Sequence, residues 1–172
     1  MDKKEEKKKE SALNINDDFD FNFAKKLPKI LRWILVIPVG ILSILAVHMA
    51  YGFIVSMFLK NFSETSVVAV IINAIFGLAK FYIFIISMVA MAPVTVENKF
   101  KVGIVLSIIP FVLAGGIIFL AKTSPEYDYS SMDMIIQIAV VVFAVIGGLV
   151  YIKKDISKEK SKVVEQEPAN TL

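Results

Sequence analysis

The sequence predicts an all-α integral membrane protein of four transmembrane helices in a compact bundle, with both termini on the cytoplasmic side and disordered charged tails. Three observations carry that expectation. The chain of 172 residues is 56% hydrophobic with a mean hydropathy of +0.69. Its charge gathers at the two ends and in three short gaps between long apolar runs. Lysine and arginine also alternate in number from one flank to the next, as the positive-inside rule requires of a multi-spanning chain.

A water-soluble helical domain needs polar faces along its helices, and these runs have none. Barrel strands alternate lipid-facing and lumen-facing residues over about ten positions, whereas the runs here are continuous and roughly twice that length. In hydrocarbon each backbone N–H and C=O must find its partner within the segment, which leaves helices.

Residues 1–29 read as a disordered, charged cytoplasmic tail. Its opening, MDKKEEKKKE, is too polar to order itself. In the following NINDDFDFNFAKK, Phe19, Phe21 and Phe23 alternate with polar residues. These rings are expected to dip into the membrane interface; the alternation would also suit a strand added to a partner's sheet edge. The next apolar run starts too late and is too long for a cleavable signal peptide.

The transmembrane domain is expected over residues 30–152. The first helix, 30–58, exceeds the about 20 residues that cross the hydrocarbon core, so it can tilt or project. Arg32 and Trp33 are its expected interface anchors, and Pro38 its expected kink. Residues 60–66 form a turn in which Thr65 or Ser66 can cap the second helix, 67–92, which ends at Pro93. Residues 93–101 return the chain into the third helix, 102–121, with Pro110 and the pair Gly115–Gly116. A polar loop over 122–131 leads to the fourth helix, 132–152, where Ser130 and Asp133 have capping-box spacing. Residues 153–172 read as a second disordered, charged cytoplasmic tail.

Orientation follows from Lys25, Lys26, Lys29 and Arg32 on the N-terminal flank, Lys99 and Lys101 in the second gap, and Lys153 and Lys154 after the fourth helix. The other gaps hold only Lys60 and Lys122. Both termini and the middle loop are therefore expected in the cytoplasm, with the protein in a plasma or cell inner membrane. Asn61-Phe62-Ser63 matches a glycosylation acceptor, but it lies at the membrane surface in a very short loop, so modification is not expected. The net charge of +3 serves orientation and attraction to anionic headgroups. Nucleic acid is not an expected partner, for want of a basic folded face with stacking aromatics. With no cysteine and one histidine, disulfides, thiolate chemistry, metal sites and cofactors are not expected.

Helices associate in lipid through close packing of small residues and cross-helix hydrogen bonds. Candidate stripes at helical spacing are His48, Gly52 and Ser56; Ala69, Asn73, Gly77, Lys80 and Ser87; Gly103, Ser107, Pro110 and Ala114; and Gln137, Val141, Ala144 and Gly148. The expected helix-packing positions are Gly52, Gly77, Gly115, Gly116, Ala144 and Gly148. The polar residues that stand out within the membrane are Lys80, His48, Asn73 and Gln137.

Lys80 falls near mid-membrane, where a lysine costs roughly 2.5 to 3.5 kcal/mol on insertion scales. Its side chain is too short to reach either headgroup layer comfortably. His48 lies at nearly the same depth and Asn73 two turns away on the same face, but no carboxylate lies deep in any of the four helices. Lys80 can therefore be a structural residue that fixes helix register, the partner of an acid on another subunit, or part of a wet path for protons, anions or a small substrate.

Catalysis is not expected, because Ser43, Ser56, Ser87 and Ser107 occupy no nucleophile turn and helical serines bond back to the preceding turn. Ile37–Pro38 and Ile109–Pro110, with Ala74 and Gly77 against Ala144 and Gly147, give a faint echo of paired helix hairpins such as transporters carry. The expected function is a small polytopic membrane protein without catalytic activity, a structural or accessory subunit of a membrane complex or homo-oligomer. Its partners would be the lipid bilayer and a membrane-protein subunit or a second copy. The alternative is a small channel or transporter whose polar path includes His48, Asn73 and Lys80.

Overall fold

Long uninterrupted runs of Ile, Leu, Val and Phe become helices in the computed structural model, and four of these are long and apolar enough to cross a membrane: Lys29–Met57, Val67–Met91, Val96–Thr123 and Ser131–Lys158. The structure describes residues 11–59, 67–124 and 131–166, with backbone alone at 58–59 and 159–166. The expected turn and caps at 60–66, the acceptor sequence at 61–63, the cap at Ser130 and the first ten residues all lie outside the described residues.

The first span is α1, Lys29–Ile54, which runs on as a π-helical turn, Val55–Leu59. It passes through Pro38 as one helix. The second is α2, Val67–Met91. The third span is two helices, α3 (Val96–Leu106) and α4 (Ile108–Thr123), interrupted at Ser107. Pro110 accounts for the interruption: it has no N–H for the Leu106 carbonyl, and its ring crowds that oxygen. The Ser107 hydroxyl bonds back to the Ile104 carbonyl at 2.6 Å. The fourth span opens α5, Ser131–Gln166, whose 36 residues cover about 54 Å at 1.5 Å per residue and outreach a bilayer.

Successive spans run antiparallel, so the start of α1, the end of α2, the start of α3 and the middle of α5 meet at one end, here called proximal. α2 is the central helix, packed on α1 along one side and on α5 along the other, while α3 fills the angle between α2 and α5. α4 leans mainly on α5. Phe84, Ile85, Met88 and Val89 of α2 and Val141 and Ile152 of α5 are fully buried, which places the tightest packing in the proximal half and the middle. Of the glycines, Gly40 is the most tightly enclosed: an added Cβ would lie 2.6 Å from Cε2 of Phe84 and 2.8 Å from Cγ of Met88.

Three segments differ from the expectation. Residues 11–28 are not an exposed tail but a folded hook under the proximal end. Asn16 makes it, accepting from the Asp18 and Asp20 N–H groups at 2.9 and 3.1 Å through its side-chain oxygen, while its own N–H donates to the Asp20 carbonyl. Ile15 and Phe21 form an isolated antiparallel bridge around the turn, and Phe19 sits at its tip with φ 56°. Phe19, Phe21 and Ala24 are buried, and the Phe19 ring meets Tyr151 of α5 edge-on at 6.1 Å. The rings thus pack on protein rather than in the lipid interface. The third span begins at Val96 instead of 102, so Lys99 belongs to a helix. Finally, residues 153–166 continue α5 rather than forming a tail, with Ile152 and Ile156 buried on its inner side.

Candidate functional site

Polar side chains gather at two places. At the proximal end, Asp20 of the hook accepts from Nη2 of Arg32 and from Nζ of Lys99, both at 2.5 Å. The last carbonyls of α2 complete the arrangement. Arg32 Nε donates to Met91 at 3.1 Å and its Nη2 to Ala92 at 3.2 Å, while Lys99 Nζ donates to Val89 at 2.9 Å and Ala92 at 2.7 Å. A helix C-terminus carries unsatisfied carbonyls and a partial negative charge, which cations there satisfy. Two cations, one carboxylate and that helix end therefore neutralise one another out of water, with side-chain exposures of 9% for Arg32, 0% for Lys99 and 12% for Asp20. Arg32 is thus not a headgroup anchor; it is a buried strut between α1, α2 and the hook. Trp33, its neighbour, is exposed on the outside of α1.

In the distal half, away from the hook, a cleft of about 290 Å³ opens between α1, α2, α4 and α5, lined by His48, Tyr51, Asn73, Phe76, Gly77, Lys80, Phe81, Ile117 and Gln137. The four intramembrane polar residues picked out in the sequence, His48, Asn73, Lys80 and Gln137, all face it. At 1.5 Å per residue Lys80 lies about 20 Å from the start of α2 and about 17 Å from its end, so it forms the floor at mid-span. Tyr51 is the cleft residue that depth alone did not mark. Its hydroxyl donates to the Asn73 side-chain oxygen, and its ring meets Phe76 at 5.1 Å. His48 and Asn73 are exposed, and Lys80 and Gln137 are half-buried. A second hollow of about 240 Å³ continues from Asn73, Gly77 and Gln137 toward Asp133 at the distal end.

Among the described residues, Lys80 makes no hydrogen bond and no ion pair. Beneath it the bundle closes: Phe81 is 4% exposed and Phe84, Ile85 and Met88 are 0% exposed. No known family, characterised protein or solved structure matches the chain. Any reading of the cleft therefore rests on its own chemistry.

The packing glycines divide. Gly77 lies against Val140 with 2.9 Å to an added Cβ, and Gly148 against Ile85 at 3.6 Å; Ala144 is buried. At Gly52, Gly115 and Gly116 an added Cβ would meet nothing within 4 Å among the described residues. Their place is taken by Gly40 and by Gly103, where an added Cβ would lie 3.2 Å from Cδ2 of Leu149. The α1 stripe through His48, Gly52 and Ser56 is exposed; the row turned toward α2 is Arg32, Val36, Gly40 and Tyr51. In α3 and α4, Gly103, Ser107, Pro110 and Ala114 are all buried.

Proposed function

We propose that the chain is a non-catalytic membrane subunit, spanning the bilayer four times with both termini cytoplasmic, whose distal half is completed by another membrane-spanning chain. The observation that carries this reading is the open cleft. It presents His48, Asn73, Lys80 and Gln137 at membrane depth, where unpaired polar groups are costly and ordinarily face protein or water. A small four-helix chain has too few helices to enclose them, since α1 and α4 each lean mainly on one neighbour.

The channel or carrier reading lacks a continuous polar route. From Lys80 toward the proximal end the buried side chains of α2 are, apart from Ser87, apolar until the Asp20 cluster, and that cluster is capped by the hook. A subunit needs no such route.

The test is purification from native membranes in mild detergent at native abundance. The subunit reading expects a stoichiometric membrane protein that co-elutes and is lost in harsh detergent. A chain that elutes alone and monodisperse in every mild detergent tried, at native abundance, would sink it.

A further inference from the structure

We infer that the cleft floored by Lys80 is the docking site for a membrane-spanning helix of a different chain that carries an Asp or Glu at mid-membrane depth. This rests on the subunit reading and names the chemistry of its partner. The lining is rich in donors. Lys80 has three N–H donors and no acceptor. Asn73 commits its carbonyl oxygen to the Tyr51 hydroxyl, which leaves its amide N–H groups to donate. Gln137 and His48 can each donate as well. Among the described residues no acid lines the cleft.

The contrast with Lys99 shows how this chain treats a buried lysine when it supplies the counter-charge itself. Lys99 receives a carboxylate and two helix-end carbonyls; Lys80 receives nothing from the described residues. The missing complement is an anion, and in hydrocarbon an anion on a helix carries its own insertion cost, which pairing removes together with that of the lysine.

A second copy of this chain does not supply it. The acids on the four spans are Glu97, Asp133 and Asp155. Glu97 and Asp155 are proximal. Asp133 lies seven positions before Val140, which faces Gly77, itself three positions before Lys80; at 1.5 Å per residue that is about 15 Å toward the distal end. The partner is therefore another chain.

Phe76, which lines the cleft, is the place for a photoreactive phenylalanine analogue in the full chain, activated in native membranes. The same analogue at Gly115, whose surroundings are open, reports the outer face. The expected result is one protein adduct from position 76, mapping by mass spectrometry to a membrane span with an acid near its middle. Lys80→Met and neutralisation of that acid each cut the adduct by at least about tenfold, well within what removing one member of a buried charge pair does; Lys80→Arg retains it. Should Lys80→Met fail to fold, Lys80→Gln and the acid's neutralisation carry the same comparison.

An adduct undiminished by these changes, one mapping to a span without an acid, one with a second copy of this chain, or one of lipid mass alone would overturn the inference. A protein adduct from position 115 but not from 76 would overturn it while leaving the subunit reading in place. No protein adduct from either position would remove both.

Discussion

Asp20 holds together three parts of the chain that are far apart in sequence: the hook, the start of α1 and the start of α3. Its oxygen faces two cations at 2.5 Å, and those cations also satisfy the end of α2. Removing the carboxylate leaves two positive charges buried together, whereas removing Lys99 leaves a balanced Arg32–Asp20 pair. Breaking a buried pair by deleting one partner costs roughly 3–5 kcal/mol. Asp20→Asn is therefore expected to lower the unfolding temperature of the detergent-solubilised chain by more than Lys99→Met does. Equal losses, or a larger one for Lys99→Met, would show that the cation's bonds to Val89 and Ala92 matter at least as much as the carboxylate. This cluster was out of sight in the sequence because Asp20 and Lys99 are joined only by the fold. No signal for it stood in the sequence: Lys99 lay in the gap before a span expected from 102, and Arg32 lay close enough to the end of its span to reach the headgroups, so neither cation called for an acid. By contrast, Asn73 and Lys80 could be placed on one face of α2, and His48 at nearly the depth of Lys80, because both follow directly from the helical rise and period.

At the scale of the helix, glycine divides into two kinds with opposite expectations. Gly40 lets α1 lie against Phe84 and Met88, both fully buried and unable to retreat. Overpacking of this kind costs about 1–3 kcal/mol, so Gly40→Ala should lower the thermal stability measurably. Gly115 meets nothing, and replacing an exposed helical glycine by alanine gains about 0.5–1 kcal/mol in water, so Gly115→Ala should be neutral or stabilising in the isolated chain. Thermal unfolding of the two variants side by side decides it; a destabilised Gly115→Ala would show a contact within the chain at that face. The spans themselves were legible, since hydropathy and length suffice for a run that no soluble fold can use. The phase of α1 was not. A helix apolar all round carries no preferred side in its pattern, so the row through His48 and Gly52 looked as good as the row through Val36 and Gly40, and only packing against Phe84 selects between them. The break at Ser107 follows from Pro110, yet Pro38 leaves α1 continuous, so proline alone does not say where a span is cut. The hook escaped for a different reason: its structure comes from one Asn side chain and a positive φ at Phe19, neither of which leaves a periodic trace.

Across the whole molecule the two halves are unlike. The proximal half is closed by fully buried side chains and by the hook with its neutralised cluster; the distal half is open and lined with donors. A conduit for ions needs the reverse arrangement, with hydration or polar lining carried past the midpoint from both sides. Between Lys80 and Lys99 the buried side chains of α2 include Phe81, Phe84, Ile85, Met88 and Val89, and among the described residues of that helix the buried polar side chain is Ser87. The chain reconstituted alone into vesicles is accordingly expected to hold an imposed proton gradient as long as empty vesicles do, and to release no trapped chloride. Lys80→Met should then leave both measurements unchanged, while abolishing the cross-link to a partner. A proton or chloride leak that appears with the chain and disappears with Lys80→Met would mean that the proximal packing opens in the membrane, and the carrier reading would displace the subunit one.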